Sequence, residues 1–216
     1  MTNPHDAAAV YMSGCYGKGS LSKGAPDGIL DGSEHLILSP CEAMHLVNTG
    51  ALCVLDTDKM QQTRCDLWRS WLEHDSGFCY RYTIYKHFRN KQYTVRSGLR
   101  YGGDFLLYSG DPNTTHAAYV VRVMTCDPDS NVTSCDPTTD PTLSPDALLW
   151  TDVNSVRRVS ESVAKECVLA YVSFEGSTDS PDCVDTADVT LVLLKRWIPE
   201  RDRETDGKKS GNDKDE

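Results

Sequence analysis

The spacing of apolar positions along this chain changes from helical to strand-like and back, and each change marks an element. Near residue 40, Met44, Leu46 and Val47 supply the apolar surface of a helix. Ser39 serves as its N-cap, Pro40 as its first residue and Glu42 as its third, a capping box, and Gly50 ends it. A short strand over residues 51–55 follows, then a second helix over 59–74 with Leu67, Trp68, Trp71 and Leu72 at helical spacing. That spacing reads as a buried stripe, with base stacking by the two tryptophans as the alternative. The pattern restarts at Ser76-Gly77. Phe78, Tyr82, Tyr85 and Phe88 recur every three to four residues, giving a third helix to about residue 90. The period then shortens. Strands are predicted over 93–95, 105–107 and 117–124, a helix over 147–158, and strands over 166–174 and 189–194, with Pro199 as a stop. The order predicts a mixed α/β (α+β) protein: a small N-terminal α/β domain over 1–75, then a second α/β domain with a mixed sheet over 76–199.

Three stretches lack such a pattern. The first residues read as mobile, and residues 14–28 are rich in Gly, Ser and Lys. They do not form the phosphate-binding GxxxxGK[ST] loop. Residues 125–146 are rich in Pro, Asp, Ser and Thr and predict a long surface loop, and the charged tail over 200–216 predicts disorder. The 216 residues, 39% of them hydrophobic, suffice for one medium domain or two small ones. No apolar run approaches the ~20 residues needed to span a bilayer, and no signal peptide is expected. Nine cysteines occur without a CxxC, so no zinc or redox motif is signalled; Cys126 and Cys135 flank a loop and are the one candidate pair. Asn131-Val132-Thr133 is a glycosylation sequon without a secretory context.

The net charge of −10 argues against a nucleic-acid partner, yet its distribution does not. Arg81, Lys86, Arg89, Lys91, Arg96 and Arg100 occur in a run with no Asp or Glu between them. They form either an RNA-facing surface or an ordinary solvated helix face.

Candidate chemistry concentrates in residues 101–116, YGGDFLLYSGDPNTTH. The Gly-Gly pair permits a close-packed backbone, the run to Leu107 enters a core and ends on Tyr108, and Ser109 to Asn113 form a turn. His116 opens the next apolar run. A phenol ending one strand and an imidazole beginning the next can converge on one substrate.

This segment resembles the core motif of the tRNA-splicing endonucleases: an aromatic, Gly, Asp-Phe-Leu-x-Tyr, a short loop and His-Ala. Further on, Ser162-Val163-Ala164-Lys165 before a hydrophobic strand is similar to the family's Ser-Val-x-Lys. The resemblance implies a catalytic triad of Tyr108, His116 and Lys165. It also implies a cation–π clamp on a flipped-out base, matched here by Arg158 and Trp197, with Arg157 adjacent. The N-terminal Tyr16-Gly17-Lys18-Gly19-Ser20-Leu21-Ser22 is similar to a segment of the subunit type assigned to the 5′ splice site. The region 125–146 looks like an insertion relative to the family. The resemblance further implies an intron-containing pre-tRNA substrate, a heterotetramer with a second catalytic and two structural subunits, one of them joined through the C-terminal strands, and a nuclear location.

The chemistry also stands on its own terms. RNA carries its own nucleophile, the 2′-hydroxyl, and cleavage needs a base, an acid for the 5′-oxygen and a cation for the charged phosphorane. His116 suits the acid and Lys165 the cation. Tyr108 is the family's base, an awkward role because a free phenol has a pKa of about 10; proximity of Lys165 is expected to lower it, or the phenol only orients the 2′-hydroxyl. The scheme calls for no metal or other cofactor, and yields a 2′,3′-cyclic phosphate and a 5′-hydroxyl. Taken singly, Tyr108 can be a strand-end aromatic, His116 a loop residue, Lys165 a strand-edge cation, Trp197 a core residue and Arg158 a solvated one. Other readings of the chain are the 3′-site subunit, a non-catalytic scaffold of the same fold, or an RNA-binding module.

Overall fold

A computed structural model of the chain describes residues 3–21, 33–125 and 150–195. Trp197, Cys126, Cys135, the 131–133 sequon, the 200–216 tail and all but the first residue of the 125–146 loop lie outside the described residues.

The first residues form a helix, α1 (Pro4–Gly14), where a mobile segment was expected. Asn3 caps it through its side chain, which accepts from His5 N at 3.1 Å, and Pro4 takes the first turn. Ala7, Val10 and Tyr11, at i, i+3 and i+4, bury its inner face against Tyr16, Leu36 and Leu46. β1 (Lys18–Gly19) pairs antiparallel with β2 (Leu36–Ile37). α2 (Pro40–Asn48) carries the expected capping box, and Gly50 follows it at φ +72°.

The strand expected over 51–55 does not form. The amides of Ala51 and Leu52 bond back to Leu46 O, at the end of α2, and an isolated bridge joins Leu55 to Gln61. The second helix, α3 (Arg64–His74), begins later than expected, at a second capping box between Thr63 and Asp66. Before it, the Asp56 carboxylate collects the amides of Asp58 and Met60 into a turn. Trp68 is fully buried and its indole donates to Thr178 O at 2.8 Å, so the buried-stripe reading holds for it.

α4 (Phe78–Asn90) lies against a five-stranded sheet of order β3-β4-β5-β6-β7. Its strands are β3 (Thr94–Ser97), β4 (Phe105–Tyr108), β5 (Tyr119–Thr125), β6 (Glu166–Ser173) and β7 (Asp188–Leu194). All neighbours are antiparallel except β5 and β6, which are parallel and connected through α5 (Trp150–Ser162), longer at its C-terminal end than expected. The sheet is therefore mixed, as the sequence predicted.

Strand alternation sends two sets of side chains to opposite faces. Val95, Leu107, Val121, Val168, Ala170 and Val172 meet Phe78, Tyr82 and Tyr85 of α4. The same core takes in Met44 of α2 and Trp68 of α3, so it is continuous across Ser76-Gly77. Leu106, Val120, Cys167 and Leu169 meet Val153 and Val156 of α5 on the other face. A close approach before β4 explains one of the paired glycines: a Cβ on Gly103 would lie 2.8 Å from Val121 O and 2.5 Å from the Val120 side chain. Beside it, the Asp104 carboxylate accepts from Val123 N at 2.8 Å and lies 3.6 Å from Arg122, fixing the approach to β5.

Candidate active site

Three strand ends meet at one edge of the α5 face. Leu107 pairs with Tyr119 and Tyr119 with Glu166, so Tyr108 and Lys165 continue those strands on either side of Ala118. Backbone bonds hold the junction: Ala118 N donates to Leu107 O at 2.9 Å, and Glu166 N donates to Ala118 O at 3.0 Å. Ala117 and Lys165, 48 positions apart in sequence, are brought together by the parallel crossover, which returns the chain to the side of its own starting strand.

Lys165 is delivered by the end of α5. Its amide bonds to Ser160 O at 2.9 Å and the amide of Ala164 to Glu161 O at 3.1 Å, the two bonds of a Schellman motif, with Ala164 left-handed at φ +52°. Ser160 beneath it is fully buried, and its hydroxyl donates to Val156 O at 2.8 Å. The Lys165 ammonium donates to Ala117 O at 3.2 Å and lies 5.6 Å from the centre of the Tyr101 ring. It is thus fixed one residue from His116, which is exposed at the exit of the loop.

Tyr108 is half-buried on the same face, against Tyr101 and the α5 core. Burial raises its phenol above the ordinary value, Tyr101 adds to the rise, and Arg96, across the ladder from Leu106, offsets part of it. The expectation that Lys165 lowers this pKa is overturned: its ammonium is directed to the Ala117 carbonyl and the Tyr101 ring, and the net shift is upward. Tyr108 is a neutral hydrogen-bonding group at physiological pH.

Tyr101, in a short 3₁₀ turn (Leu99–Tyr101), was missed as a site residue. It touches both ends of the constellation, under Lys165 and beside Tyr108. Its only sequence signal was the aromatic before the Gly-Gly pair. Arg158 stands on the exposed side of α5, with no ion pair among the described residues, whereas Arg157 is tied to Glu161 at 3.3 Å. That separates the two adjacent arginines; Trp197 lies outside the described residues. No group of three or more His, Cys, Asp or Glu side chains able to hold a metal ion occurs among the described residues.

Four of the six members of the basic run from 81 to 100 are engaged within the protein. Arg81 pairs with Asp75, and Lys86 with Asp185 at 2.5 Å. Arg89 donates to Gly14 O and Tyr93 O and stacks on Tyr16 at 4.2 Å. Arg96 donates to Gly17 O and approaches Glu42. Lys91 and Arg100 are the exposed members.

Comparison with known proteins assigns both halves of the chain. The family model described as tRNA intron endonuclease, N-terminal domain, matches residues 1–68, and that described as tRNA intron endonuclease, catalytic C-terminal domain, matches residues 78–180. The chain is 31% identical to the tRNA-splicing endonuclease subunit Sen2-1 of Arabidopsis thaliana over 66% of its own length and 55% of the relative. With the tRNA-splicing endonuclease subunit Sen2 of Mus musculus it shares 30% identity over 79% of its length and 36% of the relative. With the tRNA-splicing endonuclease of Saccharolobus islandicus it shares 32% identity over 79% of its length and 83% of the relative. The chain therefore spans about half or less of the plant and mouse proteins and most of the archaeal one. Matched by both family models and by relatives of this kind, the chain belongs to the tRNA intron endonuclease family.

Proposed function

We propose that this protein is an RNA-cleaving subunit that cuts intron-containing pre-tRNA at the 5′ exon–intron junction, leaving a 2′,3′-cyclic phosphate and a 5′-hydroxyl. The observation that carries the reading is the register around Ala118, with Tyr108 at the end of β4, Lys165 immediately before β6 and His116 two residues away. His116, open to solvent, protonates the departing 5′-oxygen. The Lys165 ammonium, oriented by the Ala117 carbonyl and the Tyr101 ring, stabilises the charge that develops on the phosphorane. Tyr108, kept protonated by its surroundings, orients the 2′-hydroxyl, whose proton leaves to solvent as the new P–O bond forms. The substrate supplies the nucleophile, so the scheme runs without a metal.

The 5′ specificity rests on the likeness of the N-terminal Tyr16-to-Ser22 segment to that of the 5′-site subunit type. Arg158 and Trp197 are proposed as the clamp on a flipped-out base at the opposite site. A structural subunit would pair with β7, the edge strand, whose Leu191, Val192 and Leu193 are 36–42% exposed. Unpaired backbone along such an edge accepts a partner strand, and on the α4 side Leu191 and Leu193 border an apolar groove with Phe88, Tyr93 and Tyr119 in which its side chains can lodge. A second catalytic and a second structural subunit complete the proposed assembly, and the nucleus is its proposed location.

The test uses the tagged chain purified with its partners. Wild type and His116→Ala are incubated with an intron-containing pre-tRNA in EDTA, and the cut sites and end groups are mapped. Selective loss of the 5′ cut, with cyclic-phosphate ends from wild type, is expected. Loss of only the 3′ cut would exchange the subunit identity, and normal cutting at both sites would leave a scaffold in place of an enzyme.

A further inference from the structure

The loop that presents His116 is closed on itself and tethered to α1. The Asp111 carbonyl accepts from the amides of Thr114 and Thr115 at 3.1 and 2.9 Å and from the Thr115 hydroxyl at 2.7 Å. The Asp111 carboxylate accepts from Asn113 N at 2.8 Å and Asn113 Nδ2 at 2.9 Å. These bonds make residues 111–115 one compact turn that can move as a unit. At its base, Ala118 bonds to Leu107. At its tip, Asn113 Nδ2 donates to Tyr11 Oη at 3.0 Å, and the Cys15 thiol donates to Asp111 Oδ1 at 3.8 Å.

Tyr11 is itself held from two further sides. It is 8% exposed in the cluster that anchors α1, and the Arg96 guanidinium lies 5.7 Å from its ring centre. Arg96 in turn donates to Gly17 O and approaches Glu42, which accepts from Gly17 N at 2.9 Å and completes the α2 capping box. Residues 11–17 are thus clamped between α2, β3 and the His116 loop, although 102 residues separate Tyr11 from Asn113.

We infer that Tyr11 is a positioning residue that braces the 109–116 loop, through Asn113, so that His116 meets the leaving group in register. The inference rests on the role of His116 proposed above. Tyr11 does not touch the reacting atoms; a small tilt of the compact turn would displace the imidazole, and misplacement by about 1 Å can cost as much as about 10²-fold in rate.

Tyr11→Phe removes the hydroxyl and keeps the ring under Arg96. In the complex with its partner subunits, the variant is expected to lose about five- to tenfold in single-turnover cleavage at saturating pre-tRNA, with half-saturation unchanged. Asn113→Ala is expected to lose as much, and the double variant no more than either alone. Hydrogen exchange at the amides of Thr114 and Thr115 should rise about fivefold in Tyr11→Phe, the factor that one neutral hydrogen bond of about 1 kcal/mol represents, with α1 unchanged. Full activity and unchanged exchange in Tyr11→Phe would overturn the brace. Multiplicative losses in the double variant would overturn the coupling. Exchange that rises while both Tyr11→Phe and His116→Ala cut normally would keep the tether but remove its catalytic role, along with the catalytic assignment of His116. Loss in His116→Ala with normal cutting by Tyr11→Phe would remove the brace alone.

Discussion

Two sets of basic residues in this chain invite the same reading and have different fates. The run from Arg81 to Arg100 is dense, unbroken by acids and suggestive of a nucleic-acid surface, yet Arg81, Lys86, Arg89 and Arg96 end on carboxylates, carbonyls and rings of the protein itself. His116, Arg158 and Lys165 are scattered, and they stand at one edge of the α5 face or on the exposed side of α5. Density along the sequence measures local composition. Lys165 too is held by a carbonyl and a ring, so intramolecular contact alone does not separate the sets; Lys165 differs in standing where strand ends converge. Within the run, Arg89 and Arg96 work as internal fasteners, joining α4 and β3 to the N-terminal segment.

The comparison makes opposite predictions for the two sets, and the largest concerns the scattered one. His116→Ala or Lys165→Ala should lower single-turnover cleavage by about 10²–10⁴-fold, the range for loss of a general acid or a charge-stabilising group. Thermal unfolding of His116→Ala should stay within about 0.5 kcal/mol of wild type, because His116 is exposed. Arg89→Ala should do the reverse. It forfeits two bonds to backbone carbonyls and the stack on Tyr16, so a stability loss of about 1.5–3 kcal/mol is expected in denaturant titrations, with cleavage by the folded fraction within about twofold of wild type. A cleavage defect without a stability defect in Arg89→Ala would break the contrast.

Tyr108 sharpens the same distinction through pH. Its phenol is raised above the ordinary value of about 10, so it stays protonated across the neutral range. If it orients the 2′-hydroxyl as a neutral group, cleavage should not climb tenfold per pH unit between about pH 7 and 9 on its account. Tyr108→Phe should lower the rate without altering the shape of that limb. A unit slope that disappears in Tyr108→Phe would restore the phenolate as the base. On the internal side, His45 sits between the Tyr16 and Tyr85 rings, and burial first, then Arg89 and Lys86, lowers its pKa to about 4. The folded state therefore binds fewer protons here than the unfolded one between about pH 6.5 and 4. The stability this contributes is complete above that window and is lost as pH falls through it. His45→Gln should flatten the fall in Tm over that interval relative to wild type.

What the sequence disclosed follows the range of each interaction. The Ser39–Glu42 capping box, the α4 stripe and the strands flanking Tyr108 are set by neighbours within a few residues, and all formed as predicted. The signals for α1 were equally local, in Asn3, Pro4 and the Ala7-Val10-Tyr11 spacing, although the first residues read as mobile. The failed strand over 51–55 had the right composition; the end of α2 competed for its amides. The destination of Arg96, 79 residues from Gly17, and the direction of the Lys165 ammonium were illegible because long-range packing chooses them.

The smallest predicted effect lies at the hinge between α5 and the site. Ala164 adopts a left-handed backbone, φ +52°, to close the Schellman motif that delivers Lys165 to the edge of β6. A β-carbon in that conformation costs roughly 1 kcal/mol, which glycine avoids, although glycine also gives the unfolded chain more freedom. Ala164→Gly should therefore leave stability unchanged or raise it by up to about 1 kcal/mol, with cleavage within about twofold of wild type. Ala164→Val, β-branched at the same φ, should cost more than alanine does and lower cleavage by misdirecting Lys165. If the valine variant lost stability but cut at the wild-type rate per folded molecule, the Lys165 ammonium would be held by Ala117 and Tyr101 alone. The helix terminus would then belong with the internal fasteners and not with the site.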